Sequence, residues 1–153
     1  MKIKDFMTKK VVAVHKEMTV KEFVRFVEEH KITGAPVADE SGKVIGIVST
    51  TDVIKRSHYV TKDMAHCEDS YEVDPSSGIV EVHKYYTEEL FETQIGELMT
   101  QDVITLAPED DLMDAAELFV KTPIHRILIM DGGKIVGIIS TRDTIKAMAS
   151  IAK

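Results

Sequence analysis

The stretch Gly46-Ile47-Val48-Ser49-Thr50-Thr51-Asp52 recurs as Gly137-Ile138-Ile139-Ser140-Thr141-Arg142-Asp143. Each copy is an apolar run that stops at a serine and carries an aspartate three residues on. The run reads as a strand covered on both faces, and S-x-x-D reads as the first turn of a helix, with the serine as N-cap. A strand-to-helix junction written twice makes the internal repeat the first question to ask of the chain.

The repeat extends outward in register. Ile3-Lys4-Asp5-Phe6-Met7-Thr8 aligns with Ile95-Gly96-Glu97-Leu98-Met99-Thr100, and at the same spacing Val11-Val12-Ala13-Val14 falls on Val103-Ile104-Thr105-Leu106 as short strand-like segments. A helix follows in each copy. In the first, Val20, Phe23, Val24 and Val27 share a face, and Thr19 with Glu22 has capping-box spacing. In the second, Asp111 takes the cap position ahead of Leu112, Ala115, Ala116 and Phe119. Then come a strand, a turn and a strand: Ala35–Ala38, Asp39–Gly42 and Lys43–Val48, against Ile127–Met130, Asp131–Gly133 and Lys134–Ile139. The last strand is apolar on both faces, so a central, covered position is expected, with a short helix starting at Ser49 or Ser140.

Each unit is therefore β-α-β-β-α, of mixed α/β (α+β) class. The units span 1–57 and 95–153 and are expected to pack together, since either alone is very small for a core. Between them, 58–94 is compositionally distinct: Tyr59 to Gln94 holds nine acids and two lysines, a net of -7, whereas the other 17 acids and 17 bases balance. Pro75-Ser76-Ser77-Gly78 signals a turn, Ile79–Tyr85 alternates like a strand, and Thr87–Phe91 opens like a helix, so a hairpin-like excursion is expected here.

Composition excludes several function classes. The net charge of -7 argues against nucleic-acid binding, which needs basic surface to displace counterions from phosphates. No apolar run approaches the ~18 residues of a membrane span, and the first residues lack a signal-peptide core. The lone Cys67 forms no internal disulfide, which fits a reducing compartment. A cytoplasmic chain without membrane or nucleic-acid partners is expected. No P-loop, G-x-G-x-x-G or evident nucleophile–base pairing supports catalysis. His58, His66, Cys67 and His83 are the metal-ligating types of the insert, but no ligand spacing joins them, so no metal site is assigned. Met7, Met99 and Met130 are read as packing residues.

The serine–aspartate junction supports two readings that do not exclude each other. As a cap, it closes the helix start and places a carboxylate where the helix dipole favours it. As a site, the helix start offers N–H groups to an anion, and the aspartate offers acceptors to the cis hydroxyls of a ribose.

The two copies together resemble the tandem CBS (cystathionine beta-synthase) domain pair, or Bateman module, whose marks are an M-T opening, a strand–turn–strand pair and a closing G-h-h-S/T-x-x-D. The resemblance covers 1–57 and 95–150. It implies two β-α-β-β-α repeats in pseudo-two-fold symmetry, with adenosyl ligands such as AMP, ADP or ATP in clefts between them. It also implies a regulatory role without catalysis, a homodimer, and an effector protein that the sequence does not name. Asp52 and Asp143 inherit the ribose role, and Ser49, Thr50, Ser140 and Thr141 the neighbouring hydrogen-bonding positions. Ile124-His125-Arg126 resembles the His-Arg pair that meets phosphates in nucleotide-sensing members, with Arg142 as a second candidate cation and Thr105 as a hydroxyl donor. The first copy departs: Thr33-Gly34 replaces His125-Arg126 and Ala13 replaces Thr105. Gly34-Ala35-Pro36 there allows close backbone approach to an adenine. The Asp143 site is the better nucleotide site on this reading. Thr8–Val12 and Thr100–Thr105 are expected to line the clefts. A ligand-free assembly module and a metal protein built on the insert are the alternatives.

Overall fold

The structure is a computed structural model and describes residues 1–63, 72–73, 80–81 and 88–151. A 3-10 turn at Ile3–Asp5 precedes β1 (Val14–His15), α1 (Val20–His30), β2 (Gly34–Ala38), β3 (Val44–Ser49) and α2 (Thr50–Asp63). After β4 (Glu72–Val73), β5 (Val80–Glu81), α3 (Glu88–Glu92) and α4 (Ile95–Leu98) the pattern returns as β6 (Thr105–Leu106), α5 (Leu112–Lys121), β7 (Arg126–Asp131), β8 (Lys134–Ser140) and α6 (Thr141–Ile151). The class is α+β, with three-stranded sheets of order β1-β2-β3 and β6-β7-β8.

The helices start where side chains close them. Thr19 accepts from Glu22 N at 3.3 Å while Glu22 accepts from Thr19 N at 2.8 Å, the reciprocal box its spacing predicts. Asp111 and Asp114 close α5 in the same way. The α1 helix ends at Lys31, which takes a left-handed conformation (φ 52°). The β7–β8 hairpin turns on Gly132 and Gly133, both at positive φ, where a Cβ would strain the backbone.

The chain forms two compact units. One comprises Met1–Val14, Ala35–Ile47 and Thr100–Lys153, the other His15–Gly34 and Val48–Met99. In the first, β6 runs parallel to β7 and β7 antiparallel to β8. Ile127, Ile129 and Ile139 meet Leu112 and Ala115 of α5, Ala147 of α6 and Ile3 of the N-terminal turn in one core, with Phe6, Met7 and Ile124 packed against it. In the second, α1, α2, α3 and α4 pack on one another, and Val20, Phe23, Val53, Leu90 and Ile95 are buried.

The openings of the two copies are exchanged. Thr8 pairs with Ile138 of β8 through bonds of 2.9 and 3.0 Å, and Thr100 pairs with Ile47 of β3 through bonds of 2.9 and 3.0 Å. Ile47 and Ile138 are equivalent positions, as are Thr8 and Thr100. This corrects the expected place of the last strands. β3 and β8 are edges of their sheets rather than central, and a free edge would leave backbone groups open to another chain. Each is covered at its isoleucine by the opening segment of the other copy, which satisfies the backbone groups of that edge.

Other expectations shift. Val24 is 41% exposed, so the buried face of α1 is Val20, Phe23 and Val27. The first strands begin later than their apolar runs, at Val14 and Thr105. The closing helices start one residue after the serines and are not short, since α2 has 14 residues and α6 has 11. In the insert, β4 and β5 pair antiparallel, Glu72 opposite Glu81 and Val73 opposite Val80, as a hairpin requires, and α3 lies where a helix is expected. Pro75–Gly78 and the side chains of His58, His66, Cys67 and His83 lie outside the described residues.

Candidate functional site

Strand β8 delivers Ser140 to the start of α6, and the local hydrogen bonds there are reciprocal. Ser140 N and Oγ both donate to Asp143 Oδ2, at 3.0 and 2.6 Å, and Asp143 N donates to Ser140 Oγ at 3.2 Å. Thr144, 4% exposed, donates its hydroxyl to Ser140 O at 3.2 Å. At the first junction Ser49 N and Oγ donate to Asp52 Oδ2, each at 2.7 Å. Both copies therefore hold the aspartate on its serine, and the second adds the return bond from the aspartate N–H to the serine hydroxyl.

The cap leaves half of each carboxylate open. An ionised aspartate has about four lone-pair sites, and both bonds from the serine fall on Oδ2. Among the described residues no donor reaches Oδ1 of Asp52 or Asp143. A vicinal diol needs two acceptor sites close together, and each Oδ1 supplies them. The Thr141 hydroxyl is an additional vacancy in the bonding: its oxygen is buried and has no hydrogen-bond partner among the described residues. Such an atom is costly unless something meets it.

The helix starts offer less to an anion than the sequence implies. Thr141 N donates to His125 O at 3.2 Å, and Thr50 N to Thr33 O at 3.0 Å. With Asp143 N on Ser140 Oγ, two of the leading N–H groups of α6 are already used. The adjacent Asp143 carboxylate also opposes a second negative charge at that spot. A phosphate here must find a side-chain cation.

Arg126 is the cation that the strand register brings closest to Ser140. It stands directly opposite Ser140 in the β7–β8 ladder, and opposed residues project to the same face with Cβ atoms roughly 4.5–5.5 Å apart. Alternation places Thr105, which is paired with Leu128 in the β6–β7 ladder, on that face too. The opposite face carries Ile127, Ile129 and Ile139 into the core. Arg126 is partly buried, and burial lowers its pKa from the usual guanidinium value. His125 is exposed and contributes its backbone carbonyl to the junction. Arg142 is exposed on the first turn of α6, and Ile124 packs on the core rather than standing free.

The first junction gathers fewer polar groups. Thr33 holds the start of α2 as His125 holds that of α6, and Gly34 opens β2 where Arg126 opens β7. Gly34, Ala35 and Pro36 are all buried. The Thr50 hydroxyl reaches Thr33 O at 3.5 Å. Among the described residues no cluster of three or more His, Cys, Asp or Glu could hold a metal ion, and no helix is long and apolar enough to cross a membrane.

Three contacts were not legible in the sequence as site features. The carbonyls of Thr33 and His125 tie the preceding loop to the helix start, and backbone groups leave no compositional mark. The Thr144 bond to Ser140 O was also missed, although a threonine one residue after the motif aspartate is a local signal that could have revealed it.

The fold is shared with known proteins. The CBS domain pattern matches residues 3–59 and 95–150. The chain is 32% identical to the uncharacterized protein MJ1426 of Methanocaldococcus jannaschii, over 97% of this chain and 91% of that protein. Among solved structures it resembles CBSX2 in complex with AMP, at a TM-score of 0.71 and 23% identity over 99% of this chain and 98% of the other. It also resembles the CBS domain pair of protein MJ0100 in complex with 5′-methylthioadenosine and S-adenosyl-L-methionine, at a TM-score of 0.68 and 22% identity over 100% and 98%.

Proposed function

The chain belongs to the CBS domain family, and from that premise we propose that it is a regulatory sensor that binds adenine nucleotides (AMP, ADP or ATP) at its serine–aspartate junctions and catalyses no reaction itself. The observation that carries the reading is the Asp143 junction. Its Oδ1 remains open for a ribose, a buried Thr141 hydroxyl lacks a partner, and Arg126 stands across the ladder from Ser140. Two proteins of similar fold were crystallised with adenosyl compounds, which supports the ligand class.

Regulation on this reading is differential binding. A nucleotide that prefers one conformation shifts the population toward it, and an effector protein reads the shift. A homodimer is the form in which we expect it to act, in the cytoplasm. The repeats are taken as 1–57 and 95–153, joined by the acidic segment 58–94.

Thermal denaturation with a panel of AMP, ADP, ATP, S-adenosylmethionine and adenosine tests the proposal. A ligand that binds only the folded state raises Tm in proportion to the logarithm of its concentration. A concentration-dependent rise with at least one nucleotide is expected, and an unchanged Tm across the panel would favour a ligand-free assembly module.

A further inference from the structure

The two sheet hairpins turn at aspartates that are held differently. Asp39, after β2, spends Oδ1 on three donors: Ser41 N at 2.9 Å, Ser41 Oγ at 2.6 Å and Lys43 N at 3.0 Å. The residue that follows it, Glu40, carries a side chain. Asp131, the last residue of β7, has no partner on its carboxylate among the described residues. The residue that follows it is Gly132, whose N–H has no acceptor among them either. Both are exposed, and nothing lies within 4 Å of where a Cβ would stand on Gly132 or Gly133.

An unspent carboxyl next to an unspent glycine N–H can react with it. Without a Cβ, the glycine nitrogen approaches the preceding side chain unhindered. The Gly132 nitrogen bonds to Asp131 Cγ, the carboxyl hydroxyl leaves as water with the amide proton, and a five-membered succinimide closes. Water then opens the ring. Opening at Cγ restores aspartate. Opening at the main-chain carbonyl leaves isoaspartate, with the chain routed through Cβ and the main-chain carboxylate set free. One water leaves and one returns, so nothing is oxidised or reduced.

The ladder also weakens where this happens. Extended backbone at Asp131 keeps the nitrogen away from Cγ, so the ring closes when the strand end frays. Asp131 opposite Lys134 is the last pair, and a register shift between Ile129 and Met130 sets the last two pairs apart from the regular ladder. The chain has no asparagine, and Asp131-Gly132 is its one Asp-Gly dipeptide.

We infer that Asp131 is a modification site: its carboxyl cyclises on Gly132 N and reopens as isoaspartate, which makes the β7–β8 tip a substrate for a carboxyl methyltransferase that recognises an isoaspartyl carboxylate. The inference stands apart from the nucleotide reading. The added backbone carbon breaks the pairing of Asp131 with Lys134 and leaves Ile127 and Ile129 in the core.

Ageing of the full chain at mildly acidic pH, below its Tm, tests this. The readouts are tryptic mapping and methyl transfer from labelled S-adenosylmethionine by an isoaspartyl methyltransferase. Trypsin releases Asp131 in the peptide 127–134. An isomer of unchanged mass and shifted retention is expected there, preceded by a species lighter by one water. Label is expected first in this peptide. It should be lost in Asp131→Glu, whose ring would need six members, and slowed in Gly132→Ala, whose Cβ hinders the nitrogen. Asp131→Glu keeps both turn glycines, and its Tm confirms the fold. Label that appears first in 32–43, which holds Asp39, or in 63–84, which holds Asp69-Ser70, would overturn the inference. So would an equal rate in Gly132→Ala, or a peptide 127–134 that isomerises only when the chain is unfolded in urea.

Discussion

Met7 lies directly over Gly137. A Cβ built on Gly137 would collide with the Met7 thioether sulfur and approach its Cγ to 2.9 Å. The methionine of the first opening and the glycine of the second closing motif are thus one packing contact, held in place by the Thr8–Ile138 bridge beside it. Gly137→Ala makes the flexible Met7 side chain swing aside and is expected to destabilise the chain by about 1 kcal/mol, the low end for overpacking. The same substitution in a Met7→Ala background should cost clearly less, because the colliding group is gone. Urea denaturation of the four chains measures the coupling, and equal costs in both backgrounds would count against the contact.

The exchange of openings predicts that the second copy does not stand alone. Ile3 is fully buried against Leu112, Ala115 and the β7–β8 isoleucines. Ile3→Ala should cost about 2–5 kcal/mol, the range for truncating a buried isoleucine. A fragment comprising 95–153, which lacks this side chain and the Thr8 edge bond, is expected to show no cooperative melting transition by circular dichroism. A sharp transition in the fragment would mean that the core closes without its borrowed turn.

Three carboxylates make the fold acid-sensitive in a stated direction. The backbone N–H of Thr19 holds the pKa of Glu22 below its usual value, the Ser41 hydroxyl does so for Asp39, and the backbone N–H of Met113 for Asp111. A pKa lowered on folding contributes stability that is present above the unfolded value, about 4, and is lost as pH falls through the folded value. Tm is therefore expected to fall as pH drops below about 4. The fall should be shallower in the triple variant Glu22→Gln/Asp39→Asn/Asp111→Asn. Identical acid slopes would show that other groups dominate.

The parts legible in the sequence were those whose causes are local. The Thr19–Glu22 capping box, the Asp111 cap, the Gly-rich β7–β8 turn and the serine–aspartate bonds join residues within a few positions of each other, so spacing alone predicts them, whereas the part of Asp114 in closing α5 was not read from it. The edge position of β3 and β8 was not legible, because what covers each edge comes from the opening of the other copy, far along the chain. Val24 fits the helical period of α1 yet stays exposed, since period marks a face without fixing how wide a stripe the core accepts. At the site, the motif identified Ser140 and Asp143. It took the ladder register to place Arg126 across from Ser140, and backbone bonds to show that the first N–H of α6 belongs to His125 O and is not free for a phosphate.

The central claim is that Asp143 serves a ligand as well as a helix. Isothermal titration of the stripped chain with AMP, repeated on Asp143→Ala, tests it most directly. The account predicts saturable binding to the original chain and none to the variant, which should remain folded with a loss of about 1 kcal/mol from the missing cap. Undiminished AMP binding by a folded Asp143→Ala chain would contradict the account and leave the aspartate with its capping role alone.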